Sequence, residues 1–218
     1  MSHPARAAAF AAAAAATSMT GAAHLPEALA LPAPRFDRGV SLAEALERRA
    51  SAREFADRPL ELAVLAGLLW SACGVNRPDS GHRTAPSARN WQEVELYVAT
   101  AHDIRLYDPA RQALKRVVEG DHRAATGLQD FAARAPANLV YVADFARMPD
   151  ASTESRNLYA AIDTGVMVQN VYLYCAAARL ACVVRGLVDR EALARVLRLR
   201  PAQRVIVAQS VGYPATAA

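Results

Sequence analysis

Residues 158–180 read LYAAIDTGVMVQNVYLYCAAARL, and they decide the fold because they predict one long helix with few polar positions. Between residues 160 and 178 the polar side chains are those of Asp163, Thr164, Gln169 and Asn170. A helix that is apolar on most sides must be buried on most sides, and in a chain of 218 residues a second subunit can bury it better than its own domain. The stretch therefore predicts a homodimer, while Asp163 and the limited length of the uncharged run argue against a membrane span.

Shorter helices and strands flank this stretch in an irregular order. Hydrophobic periodicity and end signals predict helices at 41–49, 61–73 and 189–199, and β-formers predict strands at 94–100, 104–107, 139–143, 182–184 and 204–211. Ser41 and Glu44 form a capping box at the start of the first helix, and the first two strands are predicted to pair as a hairpin. Because regular βαβ alternation is lacking, the predicted fold class is α+β.

The first 39 residues are predicted to lie outside the folded domain. Residues 1–23 contain Arg6 and then an alanine run interrupted by Phe10, which is the outline of a signal peptide; a low-complexity alanine tail is the alternative interpretation. The first interpretation, which is favoured, exports the protein to the periplasm, and the second leaves it in the cytoplasm. Residues 24–39 contain three prolines and predict a linker with no packing pattern, so the domain is expected to span 40–218.

Composition excludes several classes of function. The chain carries 25 lysine and arginine residues against 21 acids, and because basic and acidic residues alternate they form no stripe for nucleic acid. Cys73, Cys175 and Cys182 lie in apolar surroundings and are predicted to be core thiols rather than a disulfide framework or a zinc site. The five histidines are scattered, so no metal site is predicted. No glycine-rich phosphate loop occurs in the sequence, so any phosphate must be held by side chains.

Six short motifs follow one another in the order found in one known family. They are residues 49–55 (RASAREF), 68–77 (LLWSACGVNR), 84–92 (TAPSARNWQ), 163–165 (DTG) with 169–170 (QN), 184–189 (VRGLVD) and 211–214 (VGYP). Together they extend over most of the chain and resemble the FMN-dependent nitroreductase superfamily, in the branch near the SagB-type dehydrogenases.

This resemblance implies a nitroreductase-like fold, in which helices flank a central, mostly antiparallel sheet and one long helix is buried between two subunits. It also implies an FMN-dependent enzyme that passes electrons from NAD(P)H to a small organic acceptor. The two substrates would use the same face of the flavin in turn, which is ping-pong kinetics, and flavin N5 rather than a side chain would carry the chemistry. The alternatives are a SagB-type azoline dehydrogenase, a flavin-cleaving enzyme and a non-catalytic flavin-binding dimer.

The resemblance assigns the phosphate end of FMN to the first motif. Arg49 and Ser51 would supply a guanidinium fork and a hydroxyl to the phosphate, and Arg53 would lie near the pyrimidine edge of the ring. A surface ion pair with a neighbouring acid is the alternative role of Arg53. Many relatives place a basic residue after the last strand, whereas this chain ends in Ala-Thr-Ala-Ala, so another arginine such as Arg204 is expected to help.

One loop in the third motif is implied to reach the flavin partly across the dimer interface. Pro86, Ser87 and Asn90 would contact the cofactor, and Gln92 would contact the ribityl chain. The alternative is an ordinary turn before a strand, in which Ser87 and Asn90 bind backbone groups.

A second loop, after residue 184, is implied to lie at the edge of the flavin. Gly186 would present its backbone amide to flavin N5, where only a small residue allows close approach. Arg185 stands where several relatives carry an acid, which predicts a different charge near N5 and a different preferred acceptor. Gln129 is the candidate for contact with the O4/N3 edge of the ring.

Overall fold

The computed structural model describes residues 26–34, 36 and 39–215. Within them one large antiparallel sheet is covered by helices on both faces, which confirms the predicted α+β class. The predicted signal peptide at 1–23 lies outside the described residues.

The described residues contain five α-helices, none of which combines the length and the hydrophobicity that a membrane span requires. They are α1 (Leu42–Arg48), α2 (Leu62–Cys73), α3 (Asp130–Arg134), α4 (Thr153–Ala177) and α5 (Arg190–Val196). At the start of α1, the Ser41 Oγ accepts a hydrogen bond from the backbone N–H of Glu44 at 3.1 Å, as the capping box predicts. Ser152 caps α4 and Asp189 caps α5 by the same kind of contact.

Nine strands are found in the same residues, and seven of them form the central sheet. They are β1 (Ala28–Ala30), β2 (Val75–Arg77), β3 (His82–Arg83), β4 (Val94–Ala99), β5 (Asp103–Asp108), β6 (Ala113–Glu119), β7 (Ala137–Asp144), β8 (Ala181–Arg185) and β9 (Gln203–Gly212). The order in the sheet is β1-β6-β5-β4-β7-β9-β8, and every neighbouring pair is antiparallel. β2 and β3 pair separately from the sheet.

The strand β7 lies between β4 and β9, in the interior of the sheet, as its apolar sequence predicts. Leu139 and Tyr141 pack with α2 and α4 on one face, whereas Val140 and Val142 pack with α5 on the other. A strand covered on both faces requires this continuous apolar run.

The helix α4 is covered on one side only within a protomer. Its inward residues, such as Val171, belong to the core shared with α2. On the outward side, Leu158 and Ile162 are 55% and 50% exposed, and Gly165 and Gln169 are exposed as well. These four positions recur every three or four residues, so they form one stripe along the helix.

Part of the predicted linker belongs to the sheet, which corrects the expectation of no packing pattern. Residues 28–30 form β1 and pair with residues 113–115 of β6, and Leu31 is buried. Sequence analysis missed both strands because they are only partly buried, so their apolar alternation is weak. Only β1 is an edge strand, since β6 lies between β1 and β5. The three cysteines are buried and unpaired, as predicted.

Candidate functional site

The first motif and the end of β8 meet at one tyrosine of α4. The Ser51 hydroxyl lies 2.9 Å from the Tyr172 hydroxyl, which accepts a hydrogen bond from the backbone N–H of Val184, also at 2.9 Å. A backbone hydrogen bond from Ala52 to the carbonyl of Cys182 holds the two segments side by side. The structure thus brings the first motif next to the loop that follows β8.

Arg49 lies beside the same tyrosine with its charge unneutralised. Its guanidinium carbon is 5.4 Å from the centre of the Tyr172 ring, which is a cation–π distance. Among the described residues, no carboxylate lies within ion-pair distance of Arg49. The preceding Arg48, by contrast, pairs with Glu44 one helical turn back. Arg49 is therefore available to an anion, and Ser51 is exposed close by.

Arg53 borders a cavity of about 480 Å³. The residues that line it are Arg53, Glu54, Phe55, Asp57, Arg123, Phe131, Ala133, Arg134 and Ala215. Three of these are arginines and two are acids, so the cavity beside Ala215 has a mixed lining with one more cation than anion. An isolated bridge between Phe55 and Pro214 holds the first and last motifs together at this cavity.

Arg204 does not join this group within the protomer, so nothing in the described part of the protomer supports the expectation that it helps to hold a phosphate. It lies near the start of β9, about 26 Å along the strand from Gly212. Its guanidinium donates to the carbonyls of Pro201 and Gln203 instead. The predicted strand at 204–211 already implied that its two ends lie far apart.

Arg185 is buried, and its guanidinium is hydrogen-bonded to uncharged oxygen acceptors. Its guanidinium donates to the carbonyl and hydroxyl of Thr126, to the Asn138 Oδ1 and to the Ser210 hydroxyl. Burial lowers the pKa of Arg185 to about 10, so the group stays protonated at neutral pH. The side chain extends into the interior below Phe131, whose ring centre lies 5.9 Å from the guanidinium carbon.

The two glycines near this arginine differ in the space around them. A Cβ at Gly127 would overlap the Nη1 of Arg185, whereas no heavy atom lies within 4 Å of a Cβ built at Gly186. Gly186 is exposed, so its backbone is open to a ligand. The Gln129 Oε1 is buried and lacks a hydrogen-bond partner within the described part of the chain. Because an unpaired buried acceptor costs about 1–3 kcal/mol, a ligand N–H would bind favourably there.

Gly127→Ala is expected to lower the free energy of unfolding by about 2–4 kcal/mol, because the new methyl group displaces Arg185 from its hydrogen bonds. Gly186→Ala is the matched control and should change it by less than about 0.5 kcal/mol. Denaturant unfolding of both variants measures the difference. Equal stability of the two variants would mean that Arg185 is not held as described.

The loop from Pro86 to Gln92 is held by its own polar side chains. The Ser87 Oγ accepts a hydrogen bond from the backbone N–H of Gln92 at 2.9 Å, and the Gln92 Nε2 donates to the Asn90 Oδ1 at 3.1 Å. Arg89, Asn90 and Gln92 have φ angles of 50°, 55° and 49°, in the left-handed region that residues other than glycine rarely adopt. Ser87 thus has the backbone-binding role considered as the alternative, whereas the Asn90 side chain contacts that of Gln92. Pro86 and Asn90 are exposed.

This loop lies apart from Arg49 within one protomer. The backbone N–H of Ala88 donates to the Asp163 Oδ2 at 2.8 Å, near the middle of α4. Tyr172, which Arg49 contacts, is nine residues further along the helix, or about 14 Å. The predicted site residues therefore form two separate groups on one protomer.

Sequence analysis missed Tyr172, which connects Ser51 to Val184. The only signal was an aromatic residue on an apolar helix, and such residues are more often ordinary core residues. Its role depends on which segments pack around its hydroxyl.

Residues 46–213 match the family model described as the nitroreductase family. The chain belongs to the nitroreductase family. A candidate nitroreductase from Methanocaldococcus jannaschii is 28% identical to this chain over 171 residues, which are 74% of this chain and 86% of that protein.

Two solved structures relate this nitroreductase-family protein to known folds. A candidate nitroreductase from Ralstonia eutropha JMP134 is 39% identical, with a TM-score of 0.84, and the match covers 88% of this chain and 91% of the other. The NADPH:FMN oxidoreductase from Vibrio harveyi, solved with NAD+, is 20% identical, with a TM-score of 0.60 and coverage of 80% and 69%. The nitroreductase-like fold implied by the motifs is confirmed, and the family identifies the protein as an oxidoreductase. The narrower resemblance to the SagB-type branch stays a prediction.

Proposed function

We propose that this protein is an FMN-dependent oxidoreductase that passes electrons from NAD(P)H to a small organic acceptor. The observation that carries the proposal is the meeting of the first motif with the loop after β8, through Tyr172. It places the cation of Arg49, which pairs with no carboxylate of the described residues, and the exposed Ser51 near the open backbone of Gly186. A phosphorylated flavin needs this combination of charged donors and a close-approach surface.

The residues of this surface fit FMN better than FAD. A single terminal phosphate requires one group of donors, and Arg49 and Ser51 supply a guanidinium and a hydroxyl beside the same tyrosine. A dinucleotide would require a second phosphate site, for which the sequence has no glycine-rich loop. The unpaired Oε1 of Gln129 offers an acceptor for an N–H on the edge of the ring.

Bound FMN would supply the hydride-transfer chemistry. The residues of the chain would hold one end through Arg49 and Ser51 and leave room for close approach at Gly186. The retained charge of Arg185 favours negative charge close by, because Coulomb attraction is stronger in a buried environment than in water. Since donor and acceptor would occupy the same open face in turn, ping-pong kinetics are expected.

We also propose a homodimer, formed through the exposed stripe on α4. Leu158 and Ile162 supply apolar contacts on this stripe, and α1 packs beside α4 with its own exposed leucines, Leu42 and Leu46. A second copy is the occupant that fits best, because a stripe along one long helix is complementary to itself across a twofold axis. Stable subunit contacts of this kind bury on the order of 2,000 Å² or more.

The dimer would also complete the site. On one protomer, the loop from Pro86 to Gln92 contacts α4 at Asp163 and lies about 14 Å from the position of Tyr172. A twofold axis across α4 would bring this loop of the partner toward the cofactor beside Arg49. The NADPH:FMN oxidoreductase of Vibrio harveyi, which shares the fold, supports the choice of cofactor and electron donor.

The test uses the purified full chain. The expected result is a yellow protein that releases FMN on heating, loses its flavin absorbance when NADH or NADPH is added without oxygen, and regains it with a quinone or nitro compound. Chromatography of the released cofactor identifies it. FAD as the only flavin would contradict the proposal, as would a failure to bind added FMN.

Other outcomes would select one of the alternatives. Oxidation of an azoline peptide without turnover of small acceptors would indicate the SagB-type activity. Consumption of the flavin itself under oxygen would indicate a flavin-cleaving enzyme. Bound FMN that no nicotinamide reduces would indicate a non-catalytic dimer.

A further inference from the structure

A buried carboxyl group lies behind the loop 86–92. Glu93 is fully buried just before β4, and neither of its carboxyl oxygens has a hydrogen-bond partner within the described part of the chain. Burying a carboxylate is costly when its oxygens are unpaired, so such a group either gains a proton or finds a donor.

Two charged side chains face Glu93 from other elements. Asp163 of α4 is also buried, and Arg147 follows β7. Arg147 is bound elsewhere, because its Nη1 donates to the Gln92 carbonyl and its Nη2 to the Glu95 carboxylate, each at 2.9 Å. Glu93 therefore has a carboxylate as its close neighbour and lacks an ion pair among the described residues.

These surroundings favour the neutral form of Glu93. Burial is the main cause that raises the pKa of Glu93 to about 7; its own backbone N–H opposes the rise, the charge of Asp163 adds to it, and Arg147 opposes it. The group thus changes charge near neutral pH, where ordinary glutamates are already ionised.

We propose that Glu93 and Asp163 are a positioning pair that shares one proton and anchors the loop 86–92 to α4. With Glu93 protonated, its O–H donates to the side-chain oxygens of Asp163, one of which also accepts the backbone N–H of Ala88. When that proton leaves to solvent, two carboxylates face each other in a buried place, and their repulsion weakens the contact with Ala88.

The loop needs such an anchor because its backbone is unfavourable. Arg89, Asn90 and Gln92 are all in the left-handed region, and a conformation of this kind persists only where surrounding contacts hold it. A second contact comes from Trp91, whose ring packs edge-on against Tyr159 of α4 at 6.0 Å. Without the Ala88 bond, the first half of the loop would rely on that contact and its internal hydrogen bonds, because the other external hydrogen bonds, to Arg147 and Gly81, are made by Gln92 at its end.

The sign of the pH dependence follows from the raised pKa. The contribution of the pair to stability is fully present below pH 4.5 and is lost as the pH rises through about 7. Asp108 and Asp121 have lowered pKa values, so their contributions are lost only in more acidic solution, as pH falls below 3.8. The pH range in which the Glu93–Asp163 pair loses its contribution is therefore separate from the acidic range in which Asp108 and Asp121 lose theirs.

The first test uses the cofactor-free protein and does not depend on the proposed function. Between pH 5 and 8, the unfolding equilibrium constant of the wild type should rise by about tenfold to a hundredfold more than that of Glu93→Gln, which donates an N–H to Asp163 at every pH. Glu154→Gln removes an exposed carboxylate from the same helix and should keep the wild-type profile. A profile of Glu93→Gln that matches the wild type would overturn the proposal.

If the Glu93→Gln variant does not fold, an infrared measurement on the wild type tests the protonation of Glu93 directly. With ¹³C-labelled glutamate, a protonated carboxyl band should be present at pH 6 and absent above pH 8. Absence of the band at pH 6 would overturn the shared proton.

The second test rests on the proposed function, since it measures the affinity for FMN. The dissociation constant of the wild type should rise by about fivefold or more from pH 6 to 8, relative to that of Glu93→Gln. Ionisation of the FMN phosphate near pH 6 affects both proteins alike and cancels in this ratio. The stability of the apo-protein could depend on pH as in the first test while the ratio of the two FMN dissociation constants stays constant. That result would support the pair and contradict the assignment of the loop to the cofactor.

Discussion

Replacing Ile162 with glutamate should convert the protein from a dimer to a monomer at low micromolar concentration and remove most of its bound flavin. Ile162 is half exposed on α4 in the protomer, so the substitution disturbs the proposed interface and leaves the protomer core intact. An unpaired charge in an apolar contact costs about 3–5 kcal/mol, which raises the dissociation constant of the dimer by about two to four powers of ten. Sedimentation velocity and the flavin absorbance of the same samples measure both effects.

Leu62→Glu provides the control. Leu62 is an exposed leucine in the first turn of α2, outside the stripe on α4, and an acid is favourable near a helix N-terminus. This variant should remain a yellow dimer. Substitution at Val171 would not discriminate, because that residue is fully buried inside the protomer and its loss would unfold any assembly. A dimeric, flavin-containing Ile162→Glu protein would contradict the proposed interface.

Replacing Arg49 with alanine should weaken FMN binding by about tenfold to a hundredfold. This range follows from a loss of about 1.5–3 kcal/mol for a hydrogen bond to a charged group. Arg53→Ala should weaken binding less, since a neutral oxidised ring depends less on a nearby cation than a phosphate does. Titration of the apo-protein with FMN, followed by flavin fluorescence, gives both dissociation constants.

The preceding arginine serves as the control for charge. Arg48→Ala removes the same charge but breaks only the ion pair with Glu44 on α1. Its affinity for FMN should stay within about twofold of the wild type, because surface ion pairs contribute about 0–1 kcal/mol. If Arg49→Ala binds FMN as tightly as Arg48→Ala does, the assignment of Arg49 to the phosphate is wrong.

Features that depend on neighbours along the chain could be predicted from sequence. The cap at Ser41, the start of a helix near Asp189, the hairpin of β4 and β5, and the interior position of β7 all follow from short-range patterns. The order of the motifs also identified the family, since each of the six motifs is a short stretch that can be read from the sequence alone. The strands β1 and β6 were missed because partial burial leaves a weak pattern.

The site depended on contacts between segments that are distant in sequence. Ser51 and Tyr172 are 121 residues apart and meet only because α4 crosses the sheet next to β8. Arg185 was identified from its motif, yet packing against Thr126 and Asn138 determines that its charge lies in the interior.

Glu93 shows most clearly the difference between what the sequence predicts and what packing decides. Its position beside the third motif is visible in the sequence, and a glutamate there would ordinarily be solvated and charged. Folding places Asp163 of α4 against it and removes water from both. Local pattern specifies which elements form, because backbone geometry and hydrophobic periodicity act over a few residues. Burial and charge pairing arise from long-range packing, so the chemistry of each side chain was set only when the elements came together.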